Sequence, residues 1–301
     1  MPSSNQDLAY LPIDHSLIGE WIVVASTEEF KDKSSVTTRL DRQALTLDKL
    51  DQYYQIRFLS SEMQDVPVKT QEAYGFIWLC IGTPNKTLFT LEEYDHPQAR
   101  LVPCGAYGVR TSPLRAVENF LDMAHFPYVH TNILGAEPLT AVKPYQVEHR
   151  QNVDELWATE CVFTQPLAAP NSQEPQETEY IYRVLSPLNV LLYKINTAAS
   201  GVIPADVICL FIQPLGETQI RAHLLMVLDD QNSHMTDMVL FQQKIFTQDK
   251  PILENHVPLK LPLAARIEIP TRADAMATAY RKWLVDKHWT YGSDLQKEVL
   301  A

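Results

Sequence analysis

The sequence predicts an α+β fold: a twisted antiparallel sheet with flanking helices, behind a small β unit. Three observations carry this. Six strand candidates follow one another between residues 140 and 230, separated by short breaks that hold Pro, Asn, Asp and Gly. Helical apolar spacing appears at 114–126, 233–255 and 271–287. Aromatic and β-branched segments cluster in residues 16–82.

The elements follow in chain order. Residues before about 16 form a loose lead-in, and WIVVAS (21–26) is a buried strand. TTRLDRQALTLDKL (37–50) alternates as hairpin strands do, and YYQIRFL (53–59) is a further strand. YGFIWLCIG (74–82) is the strongest strand of this half, bounded by turn residues. The polar stretch 84–100, with two prolines, marks a boundary, giving units 1–100 and 101–301. CGAYGVRTSP (104–113) is extended, and Pro113 opens the helix that follows, with Val117, Phe120, Leu121 and Ala124 on its apolar face. TAVKPYQVEHR, ELWATECVFTQPL, ETEYIYRVLSP, NVLLYKINTA, DVICLFIQPL and ETQIRAHLLMVLDD are the six later strands; short connections make their sheet antiparallel. SHMTDMVLFQQKIFTQDKPILEN (233–255) reads as a helix interrupted near Pro251, and TRADAMATAYRKWLVDK (271–287) as a last helix with Asp274 near its start.

Composition narrows the function classes. The chain has 301 residues, 46% hydrophobic, with net charge −12. It has no Lys/Arg run, which argues against nucleic acid and anionic membrane as partners and leaves small molecules and proteins. The N-terminus lacks the basic and apolar regions of a secretory signal, and runs such as VICLFI (207–212) are too short to span a bilayer. Cys80, Cys104, Cys161 and Cys209 are scattered, without zinc-knuckle or redox spacing. The expectation is a cytoplasmic, disulfide-free protein.

The segment ENFLDMAHFPYVH (118–130) concentrates the chemistry. Asp122 and His125, three apart, share a helix face. His125 and His130, five apart, would diverge by roughly 140° on a regular helix. Pro127 disfavours helical geometry at Phe126, so a break there lets both imidazoles face one centre. Two imidazoles and a carboxylate leave about half of an octahedral shell open, the facial arrangement of non-haem Fe(II) oxygenases. Asp274 is the favoured third ligand, although an aspartate opening a helix is ordinarily a cap. His149, His223 and His234 read as structural, and His256 as a candidate for a pocket mouth. Tyr180 and Tyr182 share one strand face, cavity or solvent.

The pattern E-N-x-x-D-x-x-H-x-x-x-x-H at 118–130, with TQDKPILENHVP (247–258) and ADAMATAYRKWL (273–284), resembles Rieske-type ring-hydroxylating and demethylating oxygenases over roughly residues 101–290. The resemblance implies a helix-grip-like catalytic domain with mononuclear Fe(II) on His125, His130 and Asp274. It makes Asp122 the electron-transfer bridge and puts Asn119 near the iron without being a ligand. It also implies trimers in which electrons cross between subunits, as homo- or hetero-oligomers.

Such oxygenases hold a [2Fe–2S] cluster on C-x-H and C-x-x-H pairs. This chain has neither pair, although WIVVASTEEF and YGFIWLCIG resemble the opening and closing strands of a Rieske domain. The expectation is a degenerate Rieske-like unit without a cluster. Electrons would come from a Rieske [2Fe–2S]-containing reductase or companion subunit, as in the small group of cluster-lacking methylxanthine N-demethylase subunits that includes the N7-demethylating one. The implied reaction is oxidative demethylation of a small aromatic or heterocyclic compound. Two alternatives stay open: a non-catalytic binding or structural subunit, and a zinc hydrolase on the same ligands.

Overall fold

The computed structural model describes residues 5–8, 10–51, 53–166, 176–195, 204–264 and 267–295. Six strands come first: β1 (Ile22–Ser26), β2 (Ser35–Leu40), β3 (Gln43–Lys49), β4 (Tyr54–Phe58), β5 (Val68–Ala73) and β6 (Phe76–Ile81). They form two three-stranded sheets, ordered β1-β6-β5 and β2-β3-β4. β6 is central in the first and buried along its whole length, as its continuous apolar run requires. The β2–β3 turn is Asp41-Arg42, with φ of 43° and 67°. Positive φ at both positions matches the twist of a two-residue hairpin but strains residues other than glycine. The Asp41 and Arg42 amides donate to Pro214 and Leu215 carbonyls at 3.0 Å each, so contact with the larger sheet holds this turn.

That larger sheet has seven antiparallel strands: β7 (Arg100–Val109), β8 (Gln146–Arg150), β9 (Glu155–Gln165), β10 (Gln176–Ser186), β11 (Asn189–Ile195), β12 (Ala205–Gly216) and β13 (Gln219–Leu228). Their order is β7-β13-β12-β11-β10-β9-β8, so from β8 to β13 each strand pairs with the next in sequence, and β7 adds at the edge beside β13. Alternation divides the central strands between two layers. Leu191, Val207, Cys209, Phe211, Leu225 and Val227 pack with Val23, Phe76 and Trp78 of the first small sheet. Phe211 and Trp78 meet edge-on with ring centroids 4.9 Å apart. Leu192, Ile208, Leu210, Leu224 and Met226 point the other way and line a cavity.

Helices cover that second face. They are α1 (Pro113–Leu121), α2 (Phe126–Val129), α3 (Met235–Glu254) and α4 (Ala275–Asp286). α1 packs on β12, α3 on β7, and α1 also touches α3 and α4. Two helix expectations change. The helix expected over 114–126 ends at Leu121, where Asp122 turns extended (φ −91°, ψ 123°). α3 is not interrupted near Pro251 but runs on to Glu254. Pro251 removes one amide bond, to the carbonyl of Thr247, at a residue that is exposed, so the loss falls on the solvent side of the helix. No helix among the described residues is long and apolar enough to cross a membrane.

Titratable groups brace the layers. Arg115, 3% exposed, donates to Glu268 Oε1 at 2.6 Å and to Glu118 Oε2 at 3.2 Å, and Arg281 binds both carboxylates. Burial pushes Glu268 up, but hydrogen bonds and charge from Arg115 and Arg281 outweigh it and hold its carboxyl at about 2, below the ordinary 4.5. Asp154 is likewise pushed up by burial, yet Lys287, Trp283 and His149 hold it at about 2, below 3.8. A carboxyl depressed on folding stabilises above its unfolded value and loses that contribution as pH falls through its folded value. The thermal midpoint is therefore expected to drop as pH falls from about 4.5 toward 2. Glu268→Gln and Asp154→Asn should each flatten this profile in acid-titrated calorimetry; curves parallel to wild type in both would contradict it.

Candidate metal and substrate site

The site begins where α1 stops. Ser112 caps α1 by accepting from Arg115 N at 3.3 Å, and Pro113 takes the first turn, where no amide donor is needed. At the far end Asp122 Oδ1 accepts from Ala124 N at 2.7 Å, which bends the chain into α2. His125 is the N-cap of α2 and His130 its C-cap. The break that converges the histidines thus lies at Asp122 and not at Phe126. Pro127 starts a one-turn helix instead of ending one. Gly135 fixes this turn from outside: a Cβ there would lie 2.7 Å from Pro127 N. Thr131 Oγ1 donates to Pro127 O at 2.6 Å.

His125 Nδ1 lies 3.2 Å from Asp122 Oδ2, and His130 Nδ1 lies 3.0 Å from Gln248 Oε1. Both partners are acceptors, so each neutral imidazole carries its proton on Nδ1 and its lone pair on Nε2. The two Nε2 atoms are 3.1 Å apart. Asp249 Oδ1 stands 3.1 Å from His130 Nε2 and 3.4 Å from His125 Nε2, yet it is buried with no hydrogen-bond partner. Three lone-pair donors therefore face one point without a proton between them. Such an arrangement is repulsive alone and suits a cation: donors about 2.1 Å from a common centre sit about 3.0 Å apart at right angles and about 3.4 Å apart at tetrahedral angles. His125, His130 and Asp249 form a possible metal site.

Asp274, expected as the third ligand, is not in this cluster. Its Oδ2 accepts from Thr271 N at 2.6 Å and Thr271 Oγ1 at 2.9 Å, a capping box ahead of α4. The helix start that drew attention to Asp274 is what occupies its carboxylate. Asp249 and Gln248 were missed. A signal for Asp249 existed: the buried face of α3 reads Met238, Gln242, Phe246, Asp249, Leu253, a carboxylate within an apolar stripe. Asn119, expected near the metal, lines the same cavity as His125, His130 and Asp249.

The cavity, about 190 Å³, runs from this cluster between α1, α3 and the sheet. Its walls are mainly Phe, Leu, Ile and Met, with Asn119, Gln165, Gln242, Lys194, Asp206 and Asp230 as polar exceptions. Tyr180 also lines it, and Tyr182 is buried beside it on β10. His256 does not line it; burial lowers its pKa, with Arg115 nearby adding to the effect. His223 is fully buried, bound to Gln213 at 3.0 Å and pushed down to about 3, chiefly by burial, so it is structural.

Comparisons with known proteins agree with this architecture. Residues 109–287 match the vanillate O-demethylase oxygenase C-terminal domain. The chain is 44% identical over 227 residues to a probable methylxanthine N7-demethylase from Pseudomonas sp. (strain TJI-51), covering 74% of this chain and 79% of that protein. It is 25% identical to methylxanthine N3-demethylase NdmB of Pseudomonas putida, covering 64% of this chain and 52% of the longer relative. The solved structure of Pseudomonas putida CBB5 NdmA with caffeine superposes with a TM-score of 0.73 over 90% of each chain, at 16% identity. A dicamba monooxygenase structure gives 0.67 over 91% of this chain and 99% of its own. The fold and the shared sequence define an oxygen-dependent demethylating monooxygenase. The chain belongs to the vanillate O-demethylase oxygenase C-terminal domain family.

Proposed function

We propose that this chain is a mononuclear non-haem Fe(II) oxygenase subunit that removes an N-methyl group from a small heterocycle such as a methylxanthine. The observation that carries the reading is the convergence of His125 Nε2, His130 Nε2 and the unpartnered Asp249 Oδ1 at one wall of an apolar cavity. Two imidazoles and one carboxylate suit ferrous iron with open positions, and an ion held there would supply O2 activation. The chain's own groups do the rest. Asp122 and Gln248 fix the imidazole tautomers, and the apolar walls exclude water and hold the ring. The balanced reaction takes an N-methyl compound, O2, two electrons and two protons to the N–H compound, formaldehyde and water; the hydroxymethyl intermediate collapses by breaking its C–N bond.

Residues 1–100 serve, on this reading, as a Rieske-like β unit without a cluster, and 101–301 as the catalytic domain. The electrons come from a partner that carries a Rieske cluster. Asp122 is the point of entry: its carboxylate is partly exposed on one side and faces His125 on the other. Metal analysis of anaerobically purified chain, with single turnover of 7-methylxanthine, tests this. About one iron per chain and product only with a Rieske-type reductase are expected. Zinc in place of iron would indicate a hydrolase, and no metal after Fe(II) reconstitution a binding subunit; either result overturns the proposal.

A further inference from the structure

Gln165 closes β9 and is 3% exposed, yet it lines the cavity. Its Oε1 accepts from Thr178 Oγ1 at 3.3 Å, across the β9–β10 pair. Thr178 is itself buried, so this contact orients the amide. Gln165 Nε2 has no hydrogen-bond partner among the described residues. Nε2 is not one of the fully buried orphan atoms, so it opens onto the cavity, where a bound ring that offers no acceptor would strand it. The charge around the cavity narrows what that acceptor can be. Lys194 is the one Lys or Arg among the described lining residues, and it pairs in register with Asp206 on β12. Asp206 and Asp230 both line the cavity, so apart from a metal ion on His125, His130 and Asp249 a carboxylate-bearing ring has no free cation to meet among the described lining residues.

We infer that Gln165 orients the substrate, donating from Nε2 to a carbonyl oxygen, and that the cavity selects neutral heterocycles bearing carbonyls over aromatic carboxylates. This rests on the demethylase reading above and deepens it. A fixed donor in an apolar cavity rejects rings without an acceptor, because the donor is then left unpaired. It also sets which methyl group of a carbonyl-bearing ring faces His125 and His130.

Calorimetric titration of the metal-loaded chain under anaerobic conditions tests this, with three probes: 7-methylxanthine, the acceptor-free 1-methylindole, and the anion 4-hydroxy-3-methoxybenzoate. Gln165→Leu is expected to weaken 7-methylxanthine by about 3–10-fold, the range of one neutral hydrogen bond. It should leave 1-methylindole unchanged or tighter. Gln165→Asn, which keeps a buried amide and retracts it by one methylene, should also weaken the carbonyl ring selectively and covers the case in which the leucine variant fails to fold. Overturning results are no 7-methylxanthine binding by wild type, equal affinity in both variants, or anion binding as tight as that of the neutral ring. Failure of the demethylase reading shows separately, in metal content and turnover. Gln165-dependent affinity without turnover would sink that reading and leave this inference standing.

Discussion

Asp249→Ala is expected to empty the proposed metal site, whereas Asp274→Ala is expected to leave it filled. Asp249 Oδ1 is buried, unpartnered and within 3.4 Å of both imidazole Nε2 atoms. Removing it leaves two histidines, which cannot hold a divalent ion against solvent. Affinity should fall by more than the roughly 10–100-fold typical of losing an outer-shell partner. His130→Ala should behave in the same way, with the fold kept. In metal-free protein Asp249→Ala should cost no stability, because it deletes a buried carboxylate oxygen that has no hydrogen bond to lose. Asp274→Ala instead removes the cap on Thr271 and should lower stability by about 0.5–2 kcal/mol without touching metal content. Metal per chain and thermal midpoint, measured on all three variants, separate these outcomes. Full metal retention in Asp249→Ala, or loss in Asp274→Ala, would reverse the assignment.

The contrast between these aspartates shows where sequence reading succeeds and where it stops. Local signals were legible. The seven-stranded sheet follows from alternation and short polar breaks, and His125 and His130 follow from a compact motif. Thr271 and Asp274 also carry a visible signature, Thr-x-x-Asp ahead of a helix, but it is the signature of a cap. What was not legible depends on contacts between distant segments. Asp249 meets His130 across more than a hundred residues, and only the packing of α3 over β7 brings it there. The facing of Tyr180 and Tyr182 was open because either side of a sheet strand can be covered, and here both are: β1 and β6 on one side, α1 and α3 on the other. Pro127 shows the limit of a local rule. A proline restrains the residue before it, yet it fits the first turn of a new helix, and Asp122 had already provided the break.

Asp122→Asn is expected to separate metal binding from electron supply. The substitution is isosteric; with its amide oxygen turned to His125 Nδ1–H the ring keeps its tautomer, at the cost of the Ala124 N hydrogen bond that helps bend the chain into α2. What goes is the negative charge 3.2 Å from His125 Nδ1, on the side of the imidazole away from Asp249. The amide orients the ring less firmly and no longer raises its basicity. Iron content should remain near wild type while reductase-driven turnover falls by about 10–100-fold or more. Hydrogen peroxide gives the discriminating readout, since it delivers oxygen and reducing equivalents together and bypasses any external donor. If Asp122 serves electron entry, peroxide-driven demethylation survives in Asp122→Asn while reductase-driven demethylation collapses. Equal loss in both assays would make Asp122 a positioning residue for His125 alone, and the route from the partner's cluster would then have to reach the site by another residue.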